Sequence, residues 1–223
     1  MTNKPKWGLI DLLLLLLGLV PAVVTFMVYD KLPEQVAIHF GPDGRPNGYQ
    51  SKLSFLIVFE LMVIGLPLLI KIFRFMDPKR SNYETFGRVF DITRVALTLL
   101  LCTIFGNILL FNLGYEEIHM QRYVLGGVGA VLMVSGNYMG RLRHNYMIGI
   151  RTPWTLENEE VWRRTHRMAG PLTMLAGFGV VIAAFFPGTA AFWTLIAAAL
   201  VSGFVPAIYS YVLYRRLGGT NRG

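Results

Sequence analysis

The residues that could carry chemistry in this chain are the few ionisable side chains within its apolar stretches. Asp91 and Arg94 stand at i,i+3 spacing, so a helix would place them on one face as an ion pair. Glu60 and Asn137 interrupt two other apolar stretches. Ionisable groups in lipid are costly and often line a path for ions, protons or substrates. For Asp91 and Arg94 we favour the simpler interpretation that they reach the membrane interface.

We expect Asn137 to lie at the same depth as this pair and to join it. A structural and a functional role are equally open for Glu60, with Asn107 or Asn112 as its hydrogen-bond partner. The single Cys102 lies in an apolar stretch without polar neighbours, which predicts a packing role and not a reactive thiol.

A second group of chemically capable residues falls in the segment 29–52. Apolar and other residues alternate over 36–40, and turn-forming residues follow at 42–44 and 47–48, which predicts a compact hairpin. His39 and Asp43 are two possible metal ligands, but no third follows at suitable spacing, so we predict no metal site. We expect His39 to order this loop or to contact a ligand that arrives from outside.

A third group lies in the arginine-rich segment 141–168. Arg141, Arg143 and Arg151 could hold a lipid phosphate or an acidic partner surface. Trp154 and Trp162 predict contact with lipid headgroups, where indole rings prefer to lie.

The same segment predicts an amphipathic helix outside the bilayer. Thr155 is a good N-cap, glutamates follow in the first turns and arginines in the last. We expect the i,i+4 ion pairs Glu159–Arg163 and Glu160–Arg164. Gly170-Pro171 is expected to separate this helix from the next apolar stretch.

Motifs of the common catalytic sites are absent from the sequence, which has no H-E-x-x-H, G-x-S-x-G, C-x-x-C or phosphate-binding loop. His39 and His166 fall in segments expected on opposite membrane faces, so they cannot share a site. We therefore predict no catalytic residue, no cofactor and no enzymatic activity.

Long apolar helices are the elements that must position these residues. The chain is 54% hydrophobic and 15% charged, and a membrane-spanning helix needs about 20 mainly apolar residues. The six candidate spans are Gly8–Val28, Leu53–Ile72, Val89–Leu113, Tyr123–Gly140, Pro171–Phe186 and Thr189–Tyr214. The last two could also form one helical hairpin broken at Pro187-Gly188.

The predicted fold class is therefore all-α integral membrane, with six transmembrane helices in one polytopic domain over residues 1–223. An N-terminal two-helix segment, 1–80, would carry the outer loop 29–52. A C-terminal segment, 120–214, would carry the inner loop 141–168.

The basic residues set the expected orientation. Of the 21 Lys and Arg, sixteen lie on one alternate set of flanks, four on the other, and Arg94 lies within a stretch. By the positive-inside rule both termini are cytoplasmic, with Lys4 and Lys6 inside and Glu116 and Glu117 outside. The net charge of +8 then faces anionic lipid headgroups and needs no nucleic-acid partner.

Small residues occur along the fourth predicted span, at Gly126, Gly127 and Gly129 and then at Gly136-x-x-x-Gly140. Small residues let helices in lipid approach closely. We expect a helix–helix contact here, without implying a particular oligomer.

Two motifs carry a family resemblance. The outer loop contains Leu32-Pro33, His39-Phe40, Gly44, Pro46-Asn47-Gly48-Tyr49 and Ser51-Lys52. The inner loop region contains Gly136-Asn137, Asn145, Gly149-Ile150-Arg151-Thr152-Pro153-Trp154-Thr155-Leu156, Trp162 and Thr165-His166. With these residues the chain resembles, over nearly its whole length, the SdpI-like family of bacterial integral-membrane immunity proteins. His144 departs from the family pattern, which has proline there.

The resemblance implies a multi-pass protein of the bacterial cell membrane that protects the cell from a secreted toxic peptide. In some members it also implies recruitment of a cytoplasmic repressor to the membrane. The outer loop would meet the peptide through His39, Phe40, Asp43, Gly44, Asn47, Gly48, Tyr49 and Lys52. The inner loop would bind lipid or a partner through Asn145, Gly149, Arg151, Thr152, Pro153, Trp154, Trp162 and His166.

A small transporter or lipid-handling protein is the alternative function. Glu60, Asp91, Arg94 and Asn137 would then line a polar path. The sequence has no inverted repeat or matched pair of broken helices, which weighs against this alternative.

Overall fold

A computed structural model describes residues 7–115, 120–186 and 189–218. The predictions made for Lys4, Lys6, Glu116, Glu117, the Pro187-Gly188 turn and Arg222 lie outside these residues. The helices are α1 (Leu9–Val28), α2 (Lys52–Met76), α3 (Tyr83–Asn112), α4 (Met120–Met139), α5 (Pro153–Glu157), α6 (Glu159–Ala183) and α7 (Ala190–Arg216). The strands are β1 (Gln35–Phe40) and β2 (Pro46–Ser51).

Six of the helices are long, and each overlaps one of the predicted spans. Within the described residues, α1, α2, α3 and α7 are long and apolar enough to cross a membrane. Helix α6 begins with a charged segment, which leaves only its second half apolar. The chain is therefore a multi-pass membrane protein, and the count of six spans stays a prediction.

The predicted hairpin is confirmed. Strands β1 and β2 pair antiparallel, with irregular register around His39. The turn between them uses Gly44 in the left-handed region (φ +77°), a conformation that glycine adopts without strain. The hairpin lies where α1 ends and α2 begins, and we call this the hairpin end of the molecule. The opposite end holds residues 77–82 and 140–158, and we call it the loop end.

The helices form two groups that meet along α3 and α4. Helices α1, α2 and α3 pack on one another, while α6 packs between α4 and α7. Each group carries an element of one end: the hairpin follows α1, and the long loop 140–158 lies between α4 and α6.

The predicted boundary at Gly170-Pro171 is wrong, because α6 runs unbroken from Glu159 to Ala183 with Pro171 inside it. Proline removes one backbone hydrogen bond from a helix, a cost that tertiary packing can offset. Gly170 is fully packed against α4 at this point. The amphipathic segment and the fifth predicted span are thus one helix.

The prediction that Thr155 is the N-cap of the amphipathic helix is also wrong. Thr152, not Thr155, caps the short helix α5, with Thr155 as the reciprocal partner three residues later. Asn158 then caps α6 by accepting hydrogen bonds from the backbone N–H groups of Glu160 and Val161.

Helices α4 and α6 approach closely enough for their backbones to touch. A Cβ atom at Gly136 would lie 2.5 Å from the backbone nitrogen of Met174, and one at Gly129 would lie 2.7 Å from the carbonyl oxygen of Gly177. On the α6 side, Gly170 and Gly177 meet the backbone of α4 in the same way. The predicted helix contact is confirmed, and it lies within one chain.

Replacing Gly136 by alanine should therefore destabilise the protein, because the new methyl group overlaps backbone atoms of α6. Overpacking of this kind costs about 1–3 kcal/mol. Gly126 lies on the same helix with open space where its Cβ would be, so Gly126→Ala is the matched control. We expect the thermal unfolding temperature in detergent to fall for Gly136→Ala only. Equal temperatures for both variants would contradict the close contact.

Candidate functional site

The hairpin is held on the helices by a side-chain amide. Asn112 of α3 accepts a hydrogen bond from the Ala37 N–H (2.8 Å) and donates one to the Ala37 carbonyl (2.9 Å). The amide thus takes the place that a third strand would occupy beside β1. Asn112 was considered as a partner of Glu60, and that prediction is wrong.

Apolar packing fixes the same face of the hairpin. Val36 is fully buried against Phe55, Phe105 and Ile108, and the Phe55 and Phe105 rings stack with centroids 4.8 Å apart. Phe40 meets the ring of Phe111 edge to face. Because both amide and apolar contacts hold β1, the hairpin is a fixed part of the bundle.

The other face of the hairpin presents polar side chains. His39 is exposed and hydrogen-bonds through Nδ1 to the side-chain oxygen of Asn47, which confirms that it orders the loop. A Cβ at Gly48 would lie 2.9 Å from the Cβ of His39, so glycine is needed there. Asp43 accepts a hydrogen bond from the backbone of Arg45 (3.1 Å).

Two further residues predicted in the outer loop are placed at its edges. Tyr49 is 56% exposed. Lys52 forms an ion pair with Glu34 (2.8 Å) and lies over the ring of Tyr29, so it closes the base of the hairpin.

A groove opens between the hairpin and the helices. It has a volume of about 260 Å³ and lies between β1 and parts of α3, α4 and α7. Ile104 and Ile108 of α3 and Phe192 of α7 are among its apolar lining residues. His39 and Gln121 supply polar groups at the groove, and Gln121 also donates a hydrogen bond to the Pro42 carbonyl (3.2 Å). An apolar groove with a few polar groups suits an amphipathic ligand.

At the loop end, Asn145 is the centre of the inner motif. It is fully buried, and its side-chain oxygen accepts hydrogen bonds from the backbone N–H groups of Met147 (2.9 Å) and Ile148 (2.8 Å). Its amide donates to the Arg143 carbonyl (2.9 Å). Asn145 therefore folds its own loop, and a ligand has no access to it in this structure.

Asp77 and Tyr83 complete this network, and the sequence reasoning missed both. The Tyr83 hydroxyl donates to Asp77 (2.9 Å), and its oxygen is 3.3 Å from the Asn145 side-chain oxygen. Asp77 also accepts from the backbone N–H groups of Tyr146 (2.8 Å) and Lys79 (2.7 Å). Asp77 is 69 residues from Tyr146, so no local pattern could have joined them.

The predicted headgroup position of Trp162 is wrong. Trp162 is 2% exposed, stacks on His166 with centroids 4.0 Å apart, and donates its indole N–H to the Leu142 carbonyl (2.9 Å). Because the loop folds back over the start of α6, this indole is enclosed by protein. Trp154 is half-buried against the ring of Tyr211.

His166 acts as a hydrogen-bond bridge within the buried motif. Its Nδ1 donates to the Trp162 carbonyl, and its Nε2 accepts from the Ile150 N–H (2.9 Å). Burial lowers the pKa of His166 to about 4, so the ring is neutral near pH 7 and able to accept. Gly149 has φ +105°, and a Cβ there would overlap His166 Nε2. Both residues therefore shape the loop.

The remaining residues of the inner motif either cap a helix or lie on the surface. Thr152 caps α5 and lies 3.0 Å from the Ser210 hydroxyl of α7. Pro153 is the exposed first residue of α5. Arg151 is exposed and donates to the Tyr146 carbonyl (2.8 Å).

His144, the residue that departs from the family pattern, lies buried between Lys79 and Glu159. Lys79 forms an ion pair with Glu159 (2.9 Å) and a hydrogen bond with His144 Nδ1. Burial, followed by the positive charge of Lys79, lowers the pKa of His144. The predicted pair Glu159–Arg163 is wrong, because Glu159 binds Lys79 while Glu160 binds both Arg163 and Arg164.

A buried charge cluster joins the first three helices near the loop end. Asp11 binds Lys71 and Arg94 (2.8 Å), and Arg94 also binds Asp91 (3.2 Å) and the Pro67 carbonyl (3.1 Å). The predicted Asp91–Arg94 pair is confirmed, but Arg94 is 2% exposed. The interpretation that it reaches the interface is wrong, because Asp11 and Asp91 neutralise it inside the protein.

The other two intramembrane polar residues stand apart from this cluster. Asn137 is exposed on α4 and forms no hydrogen bond with the cluster in the described part of the chain. The Glu60 carboxylate oxygens are buried without a hydrogen-bond partner among the described residues. Asn107 donates instead to the Thr103 carbonyl (2.7 Å), so neither proposed amide partners Glu60.

These features define a class: a multi-pass membrane protein of the cell membrane, with one ordered element at each end of a helical bundle.

Comparison with known proteins narrows this class further. The SdpI/YfhL protein family model matches residues 141–210, and a domain of unknown function (DUF1648) matches residues 16–64. The immunity protein SdpI of Bacillus subtilis (strain 168) is 26% identical over 215 residues, covering 96% of this chain and 99% of that protein. No solved structure matches. The chain is thus similar to this family over residues 141–210 and to an immunity protein over nearly its whole length.

Removing one member of the buried charge cluster should destabilise the fold. Arg94→Gln leaves Asp11 and Asp91 without their shared cation, a loss that costs about 3–5 kcal/mol in buried pairs. Arg88 is an exposed arginine of the same helix, so Arg88→Gln removes the same charge as a control. We expect a large drop in unfolding temperature for Arg94→Gln and little change for Arg88→Gln. Adding Asp91→Asn should restore part of the loss, because Arg94 is the basic partner that Asp91 has among the described residues. The absence of any restoration would contradict the pairing.

Proposed function

We propose that this chain protects a bacterial cell against a secreted toxic peptide, acting in the cell membrane by binding and without catalysis. The relative that matches nearly the whole chain is named an immunity protein. The observation that carries the proposal is the hairpin, which is fixed on the bundle beside an apolar groove.

The hairpin end faces the cell exterior in this proposal, and the loop end faces the cytoplasm. The support is the charge bias: the arginines of the segment 141–168 and of the α7 terminus all lie at the loop end. A peptide released by another cell would then reach the hairpin before any other ordered element.

The groove would take apolar side chains of such a peptide, and the exposed face of the hairpin would meet its polar groups. His39, Asp43, Asn47 and Tyr49 stand on that exposed face. Phe40 and the two glycines at 44 and 48 shape the hairpin that carries them. Because the site is already formed, binding would need little ordering of the chain.

The loop end supports a second role in sensing, by recruitment of a cytoplasmic repressor. The buried residues Asn145, Trp162 and His166, with the half-buried Thr152, hold the loop in one conformation. Arg151 and Pro153 are exposed and Trp154 is half-buried, so a partner could contact these residues of the motif.

A transport function has less support. Three of the four charges in the buried cluster are enclosed, and each acidic group has a basic partner. Such a cluster ties α1, α2 and α3 together, and Asn137 does not extend it into a path.

The proposed orientation is tested by labelling single cysteines on intact cells. The native Cys102 is first replaced by serine, and Tyr49→Cys or Arg143→Cys is added, because both positions are exposed at opposite ends. A membrane-impermeant maleimide should label Tyr49→Cys on intact cells and Arg143→Cys only after permeabilisation. The reverse pattern would place the hairpin in the cytoplasm and remove it as a site for external peptides.

The proposed function is tested by survival of a deletion strain complemented with variants and exposed to secreted peptides of related bacteria. Phe192→Ala enlarges the groove, while Phe204→Ala shortens an exposed phenylalanine of the same helix. We expect wild type and Phe204→Ala to restore survival, and Phe192→Ala, His39→Ala and Tyr49→Ala to lose protection at equal expression. Full protection by all three hairpin-end variants would place recognition elsewhere. A deletion strain that is not sensitised to any peptide would reject the immunity proposal.

A further inference from the structure

A second cleft lies at the loop end, separate from the groove beside the hairpin. It has a volume of about 880 Å³, within the range of small-molecule sites, and is bounded by the loop that follows α4, the first turns of α6 and the start of α3. Four arginines line it, at positions 141, 143, 163 and 167. The immunity proposal does not use this cleft.

The charges of the cleft do not cancel. Glu160 is bound by Arg163 and Arg164, and Glu159 is bound by Lys79. Arg143 and Arg167 have no acidic partner among the described residues, and both are exposed. Two unpaired guanidinium groups therefore face one concave space, an arrangement that suits a phosphate, because guanidinium binds its oxygens in pairs.

The cleft lies at the level along the bundle where lipid headgroups are expected. Helix α4 ends at Met139, and α6 becomes apolar after Arg167. The backbones of Gly140 and Arg167 are adjacent, since a Cβ at Gly140 would lie 3.8 Å from the Cα of Arg167. Arg141 and Arg167 thus mark the level at which the apolar part of the bundle gives way to polar surface.

The cleft walls are fixed before any ligand binds. The Trp162 indole is bonded to the Leu142 carbonyl, and Asn82 donates to the His144 carbonyl (2.7 Å). The loop that carries Arg143 is therefore tied both to α6 and to the start of α3. A preformed site loses less conformational entropy on binding than a mobile one.

We propose that this cleft binds a phosphate group, presented by the headgroup of an anionic phospholipid in the adjoining leaflet, with Arg143 and Arg167 as the residues that hold it. The site would fix the loop end at the membrane surface and set its depth. This role does not depend on immunity, because it concerns residues at the end opposite to the hairpin.

The test uses the full chain purified in a neutral detergent and titrated with phosphatidylglycerol or phosphatidylcholine of the same acyl chains. Bound lipid is counted by native mass spectrometry. We expect phosphatidylglycerol to bind more tightly, and Arg143→Gln with Arg167→Gln to weaken it by roughly tenfold or more while leaving phosphatidylcholine unchanged. Arg215→Gln with Arg216→Gln removes the same two charges from exposed positions at the same end, and this control should retain the preference.

The remaining outcomes either support or overturn the proposal. Equal binding of the two lipids, or equal weakening by both double variants, would overturn it, because the attraction would then come from diffuse charge.

Inorganic phosphate is added as a competitor in a second titration. Displacement of the lipid at millimolar phosphate would support a phosphate site and assign its ligand to the soluble ion. No displacement, with the lipid preference intact, would support the headgroup. Unchanged unfolding temperatures would show that the variants are folded.

Discussion

The backbone contact between α4 and α6 is the constraint on which the C-terminal half depends. Helices in lipid gain little from burying apolar surface against each other, so packing and polar contacts must hold them. Glycines at 129, 136, 170 and 177 remove the side chains that would keep the two helices apart. The consequence reaches beyond the contact itself. It brings Gly140 beside Arg167, so the loop between the two helices must fold back over the start of α6.

A loop confined in this way must satisfy its backbone hydrogen bonds in a small space, and side chains supply the missing partners. Asn145 accepts from two successive N–H groups, and His166 accepts from a third. Asn112 does the same for β1 at the hairpin end. An unpaired buried backbone group costs as much as a lost hydrogen bond. The fixed shape of both ends therefore rests on a few amides and one neutral imidazole, and the residues free to meet a ligand are those around them.

Local signals predicted much of this architecture, and long-range signals were not available. The hairpin was predicted because alternation and turn residues lie within a few positions of each other, and the glycine contact because its spacing follows one helix. In the sequence, Asp11 is a single acid near the start of an apolar stretch. Its partners are 60 and 83 residues away, and only packing of three helices reveals that it neutralises Arg94. The errors at Trp162 and Pro171 share one cause: α6 packs on its neighbours over its whole length, which overrides both an interfacial preference and a helix breaker.

Helix α3 contributes side chains to the hairpin contact, the charge cluster and the inner motif. Asn112 at its last turn holds the hairpin, Arg94 near its middle joins the charge cluster, and Tyr83 at its first turn reaches the inner motif. A change at one of these residues can affect another only if the helix that carries them can adopt more than one position or conformation. Helix α3 departs from regular helical geometry at Phe86 (φ −128°, ψ 21°), one turn from Tyr83. A shift of α3 along its axis would move the clamp on β1 and the hydrogen bonds of Asp77 together, whereas the charge cluster between them resists such a shift. A signal passed between the two ends through α3 would therefore have to overcome, or rearrange, the ion pairs of Arg94.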